Sequence, residues 1–600
     1  LTLSHINDYL NTEFTDITSL TLPFAADPSK VQGKNKTTSW RSFQMDDQYA
    51  MVAGKKVKQQ IDGALAIDRK NGNITMAWRD FWRRFPKAYQ VKNEDIVLEI
   101  LPEQPNRDFG KNLPFYLMFP FCEGKYRFKW GMSFTERLRF DFSGKTPAKT
   151  LQADLDLPVI AVIPAAWYAY TKAFPYATVP QGKQFSAWDS FVERFFNTHM
   201  SLKMRQREYG YFNYGDWYGE RNRNWGNNEY DLAHGMFSSF VRTGQRAYYR
   251  LALNAARHQA DVDTVHAYPD PYFIGANHQH SIGHTGTWSQ RPKHATWTHP
   301  YDTHTSAQNG HTWCNGMLDA WMLAGDPIAM QSAYELGEHI VWAMAPSFKR
   351  LGTHERSAGW SLKAILNLYK LTHDPLYLDA AKKIALVAFK KQKENGAWPH
   401  RLPLDHARGK KNLYGNNIFL LGILLSSLKD YHEVTGDPKA GKAFLAGVDW
   451  VCKSYDAKNM GWPYSALEDG TPVGPFFSSL NMLIIDGIAY AAKITGSKKY
   501  ANIAGSAISS RIMAGHGAVG KNMAQATIYS DSIIHNLNDY YQKYDRQNAD
   551  SIVSPESIAM LRAKIPDKKQ FNVRGPDDKI FYVKLNKTDP VITLSRQKHG

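Results

Sequence analysis

Cysteine is scarce: three occur in 600 residues, Cys122, Cys314 and Cys452. So far apart, they supply neither a disulfide framework nor a CxxC metal site. No apolar run reaches 18 residues, so no membrane-spanning helix and no membrane partner are expected. No run of five or more basic residues occurs, and no nucleic-acid-binding motif, so a nucleic-acid partner is not expected either. The chain opens on Leu1, with neither Met nor a signal-peptide pattern, and reads as a processed or trimmed product. Nothing in the sequence specifies an oligomeric state.

What is abundant is dispersed positive charge and tryptophan. The net charge is +17, spread as short patches such as Lys55-Lys56, Arg83-Arg84 and Lys410-Lys411. Dispersed charge of this kind suits an anionic polymer, and an acidic polysaccharide fits it at least as well as nucleic acid. Seventeen Trp residues serve a large aromatic core and can also face ring-shaped partners, among them sugars.

Six hundred residues exceed one usual hydrophobic core, so two or three domains are expected. Residues 1–185 read as an antiparallel β-sandwich, with strand-like runs at Phe115–Phe121, Tyr126–Trp130 and Phe134–Phe142. From about Ser186 the apolar period becomes helical. Five tight turns recur, at 242–245, 324–327, 372–375, 435–438 and 495–497, three of them with Asp-Pro. Gly there ends one helix in the left-handed conformation, Asp or Ser caps the next, and Pro fills its first turn. These are stacked helical hairpins. Long, variable return connections favour a closed (α/α) toroid over 186–550. Turns and short strands at Ile580–Leu585 and Val591–Leu594 predict a small β tail over 551–600. The predicted class is therefore multidomain α+β.

All five short turns then share one end of the toroid. The long connections, 207–228, 263–305, 345–356, 393–416 and 456–475, share the other, with Trp217, Trp225, Trp288, Trp297, Trp398 and Trp462. Long loops on a rigid scaffold usually carry function. The N-termini of the first helix of each pair also point there, which favours an anionic ligand.

Three clusters carry chemistry. In the first, Asn227 and Asn228 lead into a helix beginning Glu229, Tyr230, Asp231 and His234; these side chains face a cleft, or form a cap with a salt-bridged Glu. The second is the stretch from Asp263 to His311, which holds eight of the 21 histidines: His266, His278, His280, His284, His294, His299, His304 and His311. It reads as an ordered active-site loop. His278, His280 and His284 have donors for zinc or calcium, but no carboxylate or Cys stands beside them at a recognisable spacing. In the third, His311 and Asn315 share a face near a helix start, to grip a carboxylate or to cap and pack. Arg221, Arg223, Arg291, Lys293, Arg356 and Arg401 all fall on these loops. Each alone is commonly a surface ion pair, but together they suit carboxylate or sulfate.

At these residues the chain resembles the YetA-like, exo-rhamnogalacturonan lyase family of polysaccharide lyases. The shared pieces are Phe81-Trp82-Arg-Arg-Phe85-Pro86-Lys87, Gly131-Met-Ser-Phe-Thr135-Glu136, Asn228-Glu229-Tyr230-Asp231, Arg257-His258 with Asp261-Val262-Asp263, and Gly310-His311-Thr-Trp313 with Gly316-Met-Leu318-Asp319. The resemblance spans roughly 75–330, and the hairpin pattern carries it to about 515. It implies a β-sandwich followed by a toroid, and cleavage of rhamnose–uronate backbones. The strong positive charge shifts the expected substrate toward a sulfated polymer, ulvan, ahead of rhamnogalacturonan. A secreted or periplasmic location follows from that substrate class.

β-Elimination beside a uronate needs a neutralised carboxylate, a base for the C5 proton and an acid for the leaving O4. The expectation is that Asn228, His311 and Arg291 grip the carboxylate while His280 and Tyr230 move protons. Trp217, Arg221, Arg223, Trp225, His234, His284, Lys293, Asn315 and Arg356 would bind substrate. This scheme requires no cofactor or metal. One rival is a glycoside hydrolase on the same toroid, drawing two carboxylates from Asp216, Glu229, Asp231, Asp261 and Asp263. The other is a non-catalytic glycan-binding protein.

Overall fold

The computed structural model describes residues 2–4, 14–25, 40–67, 74–92, 95–114, 117–118, 121–122, 124–129, 131–180, 183–217, 226–268, 270–278, 309–347, 351, 355–404, 406–516, 520–564, 571–574, 580–584 and 593–595. The histidine stretch from 279 to 308 therefore lies outside the described residues, as do Arg221, Arg223 and Trp225.

The N-terminal part consists of antiparallel sheets around one core. The largest runs Leu20–Ala25, Asp95–Leu101, Lys87–Lys92, Trp40–Gln44, Ala50–Val52 and Lys55–Val57 from edge to edge. Two three-stranded sheets and the pair Thr2–Ser4 with Ser133–Thr135 complete it. Strands are shorter than the sequence runs suggest. Of the run at 115–121 the described residues are 117, 118 and 121; Leu117 N–H closes a turn on Pro114 O, and Phe121 opens the short strand Phe121–Cys122. The run at 134–142 breaks into Ser133–Thr135 and Leu138–Asp141 around buried Glu136, which turns inward to Lys87 and Arg84. Two helices also fall in this part, α1 (Ala148–Asp156) and α2 (Ala165–Thr171). Ile160, Tyr168, Phe174 and Phe185 join the apolar cluster of the helical part rather than that of the sheets.

The helical part runs α3 (Ser186–Gln206), α4 (Leu232–Thr243), α5 (Arg246–His258), α6 (Asn315–Ala324), α7 (Pro327–Glu338), α8 (Glu355–Thr372), α9 (Pro375–Lys391), α10 (Ile418–Thr435), α11 (Pro438–Lys453), α12 (Asn481–Thr495), α13 (Lys498–Met513), α14 (Gly520–Thr527) and α15 (Ser530–Tyr544). Helices α4, α6, α8, α10 and α12 follow one another in contact, and α14 with α15 returns the series to α4. That closes an inner ring. Outside it stand α5, α7, α9, α11 and α13, with α3 in sixth place between α13 and α5; Phe196 meets Tyr248 at 4.9 Å.

The hairpin turns follow the sequence reading closely. Asp326, Asp374 and Asp437 accept backbone N–H bonds at the starts of α7, α9 and α11, each followed by Pro. Left-handed Gly244, Gly325, Gly436 and Gly496 end the inner helices, while His373 takes that conformation at φ 57° after α8. A Cβ there costs about 1 kcal/mol, which a short turn between two well-packed helices can absorb.

The ring is held tight by small residues where inner helices meet. A Cβ added at Gly422 would stand 2.4 Å from the Leu483 carbonyl oxygen, and one at Gly235 would stand 2.2 Å from Thr527 Oγ1. The sheets fasten to the outer wall of the ring. Asp261 accepts from Thr135 N–H at 2.9 Å and Thr135 Oγ1 at 2.8 Å, and Tyr211, Phe212 and Val262 enter the sheet core. At the other terminus α16 (Pro555–Lys564) precedes a three-stranded antiparallel sheet of Phe571–Arg574, Ile580–Lys584 and Thr593–Ser595. No helix among the described residues is long and apolar enough to cross a membrane.

Candidate functional site

The N-terminal ends of the inner helices converge at the long-loop mouth of the ring. The segment before α4 is unusual: Asn227, Asn228, Tyr230 and Asp231 have φ of 75°, 50°, 70° and 49°. Four non-glycine residues with positive φ are costly, about 1 kcal/mol or more each, and persist only where the surroundings over-determine them. Here Asp216 accepts from Asn227 N–H at 3.3 Å and Asn228 N–H at 3.0 Å. The Asn227 amide donates to His278 O, and the Asn228 amide to Ala255 O. Asp231 caps α4 and also accepts from Gly316 N–H at the start of α6. This scaffold fixes Glu229 between the inner helices.

Glu229 is 1% exposed and surrounded by cationic side chains. Its Oε2 lies 2.6 Å from Lys521 Nζ, and its Oε1 lies 3.5 Å from Arg356 Nη1 and 3.4 Å from His311 Nε2. Arg356 Nη2 reaches His311 Nε2 at 3.1 Å. A guanidinium only donates, so His311 Nε2 accepts there and the ring is the neutral tautomer with its proton on Nδ1. Lys521 stands 5.7 Å over the Tyr230 ring, which neighbours Trp360. One carboxylate thus faces two permanent cations, and the starts of α4, α8 and α14 add partial positive charge. The result is a positive pocket holding a neutral imidazole and a phenol.

Beside it lies a second polar cluster. Buried Glu355 accepts from Asn416 Nδ2, its Oε1 stands 3.3 Å from His400 Nδ1, and its Oε2 has no hydrogen-bond partner among the described residues. Burial lowers the His400 pKa, but Glu355 more than offsets it and the net shift is upward. Further inside the ring His234 Nδ1 lies 2.7 Å from Asp319 Oδ2 and its Nε2 3.9 Å from Asp531 Oδ2. Burial opposes the charged imidazole, yet these carboxylates push its pKa up to about 9. Burial raises Asp319 to about 6, against the pull of His234.

The structure brings Tyr230, His311 and Arg356 together. Asn228 adjoins them, and its amide donates to Ala255 O, which helps hold the turn. Trp217 is corrected: it is 1% exposed, its Cβ and ring packed where any side chain on Gly520 would have to go, and it offers no face to a sugar. Asn315 is half-buried and accepts from the Asn367 amide at 2.8 Å. His234 belongs to the interior carboxylate group. His280, His284, Arg291 and Lys293 lie outside the described residues, with Arg221, Arg223 and Trp225. Among the described residues no group of three or more His, Cys, Asp or Glu is arranged to hold a metal ion.

Lys521, Glu355 and His400 escaped sequence reasoning. Lys521 is the second residue of α14, beyond the last of the five recognised turns. Carrying the hairpin count to the sixth pair needed to close a ring would have marked Gly520-Lys521 as one more inner-helix start at the mouth.

No protein-family model matches the chain, and no curated protein matches it. The exo-rhamnogalacturonan lyase-like resemblance thus stands on the residues quoted for it. Among solved structures, the chain is similar to an unsaturated glucuronyl hydrolase specific for heparin, at 11% identity and TM-score 0.37, covering 59% of this chain and 98% of that one. It is similar to a polysaccharide lyase at 13% identity and TM-score 0.38, with 59% and 98% covered. A cellobiose 2-epimerase from Spirochaeta thermophila gives 13% identity and TM-score 0.41, with 59% and 97% covered. Likenesses at these scores define no chemistry for this chain.

Proposed function

We propose that the chain is a polysaccharide lyase that cleaves an acidic glycan by β-elimination next to a uronate. The observation that carries this reading is the positive pocket around Glu229, in which Arg356 and Lys521 stand beside neutral His311 and Tyr230. Arg356 and Lys521 would draw charge from the substrate carboxylate and so acidify C5–H. His311 Nε2, released from Arg356 as that guanidinium turns to the carboxylate, would take the C5 proton. The electron pair then forms the C4–C5 double bond as the C4–O4 bond breaks, and Tyr230 would protonate O4. His280 is the alternative base. The substrate proposed first is ulvan, whose sulfate and carboxylate groups suit a net charge of +17, then rhamnogalacturonan. Such a substrate implies a secreted or periplasmic enzyme.

The five carboxylates open to a hydrolase are engaged elsewhere. Glu229 is paired with Lys521, Asp216 and Asp231 hold backbone N–H groups, and Asp261 is bound to Ser133 and Thr135. Asp263 is fully buried beside His258. Near-ultraviolet absorbance with time separates the readings, since only elimination makes a conjugated unsaturated uronate. A rise with ulvan or with rhamnogalacturonan is expected. A flat trace with new reducing ends would replace the lyase by a hydrolase and direct attention to Glu355. A flat trace with polymer bound but nothing released would leave a glycan-binding protein.

A further inference from the structure

On the outer wall of the ring, where the sheets meet α5 and α7, arginines line a small recess open to solvent. Arg79 and Arg137 reach it from the sheets, Arg257 from the end of α5. Their acceptors are few. Arg137 Nη2 at 2.5 Å and Arg257 Nε at 2.7 Å share a single oxygen, Asp326 Oδ2. The other Asp326 oxygen accepts the N–H bonds that cap α7. Among the described residues Arg79 has only a 3.4 Å side-chain contact with Asp80, and Arg83 draws on the same carboxylate. Asp261, also in the recess wall, is committed to Ser133 and Thr135. Arg84, the fourth arginine of the wall, is spent on Thr135 O and Glu136.

Three guanidinium groups therefore converge with most of their N–H groups facing no protein acceptor among the described residues. They are 13%, 31% and 19% exposed at Arg79, Arg137 and Arg257, so water screens them only in part. The electrostatic effect shows at Arg257: burial first, then Arg79 and Arg137, lower its pKa to about 10, and Asp326 does not restore it. A site that resists the charge of its own arginine is short of an anion. Planar donors at fixed positions on two sides are also the geometry that takes an oxyanion through paired hydrogen bonds.

We infer that this recess is a second anion site, separate from the mouth of the ring, which binds a sulfate or carboxylate group between Arg79 and Arg137 of the sheets and Arg257 of α5. The oxyanion ties the sheets to the ring by neutralising arginines from both. It is either a free inorganic ion or an acidic group on a glycan chain, and the site does not depend on the reaction proposed at the mouth.

Isothermal titration of the whole chain with sodium sulfate, and separately with sodium glucuronate, at constant ionic strength tests this. Sulfate should bind, and Arg79→Gln and Arg137→Gln should each weaken it at least tenfold, while Arg356→Gln at the mouth leaves this binding in place. Glucuronate binding with the same sensitivity assigns the acid of a glycan; binding of sulfate alone assigns an inorganic ion. No binding of either probe, binding indifferent to Arg79 and Arg137, or binding lost only in Arg356→Gln overturns the inference. Should the glutamine variants fail to fold, phenylglyoxal modification of the native chain read by mass spectrometry decides. Sulfate should slow modification at Arg79, Arg137 and Arg257 but not at exposed Arg250, and equal rates with and without sulfate overturn it.

Discussion

At the scale of single residues, the mouth depends on Glu229. Its carboxylate sets the positions of Lys521, Arg356 and His311, and without it two cations are left close together in a largely buried place. Breaking a buried ion cluster by removing one partner costs roughly 3–5 kcal/mol, less where water reaches the survivors. Lys521 and Arg356 keep 12% and 13% exposure, so Glu229→Gln should cost about 2–3 kcal/mol of stability and at least a hundredfold in turnover. Thermal unfolding and the absorbance assay would read both, and near-normal turnover in a folded Glu229→Gln would remove this cluster from the chemistry. The interior pair gives a second test. With the His234 pKa raised from its usual range to about 9, its contribution is complete below about pH 6.5 and is lost as pH rises through 9. Asp319, raised to about 6, acts in the same sense at lower pH: its protonated form is favoured in the folded state, and that gain disappears as pH rises through 6. His234→Gln should therefore flatten the fall in unfolding free energy between pH 6.5 and 9.5, by on the order of 2 kcal/mol against the native chain. Parallel native and variant curves over that range would show that the imidazole carries no such linkage. The legible part of this region was its composition: Tyr230 and His311 were marked by their place at helix starts beside the long loops, and Arg356 by its place on one. Trp217 misled because aromaticity says nothing about direction, and the backbone at 226–231, which sets the place of Asn228, is held by Asp216 from another segment.

At the scale of elements, the turns were the most readable feature because their signals are local. Gly for a left-handed end, Asp for a cap and Pro for a first turn act within four residues, whatever the rest of the chain does. Strand bounds and α1, α2 and α16 were less readable, since burial across the sheets decides them. Glu136 interrupts an apolar run only because Arg84 and Lys87 come to meet it. Close contact between inner helices is likewise a tertiary fact that makes a prediction of unusual sign. On an open helix surface Gly→Ala stabilises by up to about 1 kcal/mol. At Gly422 the new methyl would stand 2.4 Å from Leu483 O, so α10 and α12 must part, and overpacking of this kind costs about 1–3 kcal/mol. Gly422→Ala should lower the melting temperature, while Gly505→Ala on α13, where a Cβ meets nothing within 4 Å, should hold or raise it. Equal shifts in the two variants would show that the α10–α12 contact is looser than drawn. Asp437→Ala, which removes the cap of α11, should cost about 1 kcal/mol, a loss visible in the same melting experiment.

At the scale of the molecule, closure of the ring makes distant segments interdependent. The motifs behind the family resemblance illustrate this: Asp261 with Thr135 joins the sheets to the ring, Arg257 with Asp326 lies beside that junction, Glu136 with Lys87 lies within the sheets, and Asn228, Glu229 and His311 lie at the mouth. Much of what resembles a family in this chain is thus assembly rather than catalysis. The final pair, α14 with α15, supplies both the last wall of the ring and Lys521 of the pocket. These two roles can be separated. A chain ended at Gly515 would uncover the sides of α4 and α12 that pack on α14 and α15, where Gly235 meets Thr527 and Asp486 accepts from Ser532. At about 25 cal/mol per Å² of apolar surface returned to water, uncovering even about 400 Å² costs on the order of 10 kcal/mol, comparable to the stability of a whole domain. That truncated chain should be insoluble or unfolded by circular dichroism. Lys521→Met keeps the helix and its packing, so it should retain the native melting temperature within a few degrees while losing binding of the acidic polymer. If Lys521→Met unfolded as readily as the truncation, the lysine would be part of the wall and not of the pocket. If it bound and turned over polymer as the native chain does, the positive pocket at the mouth would have to be built without it, on Arg356 alone.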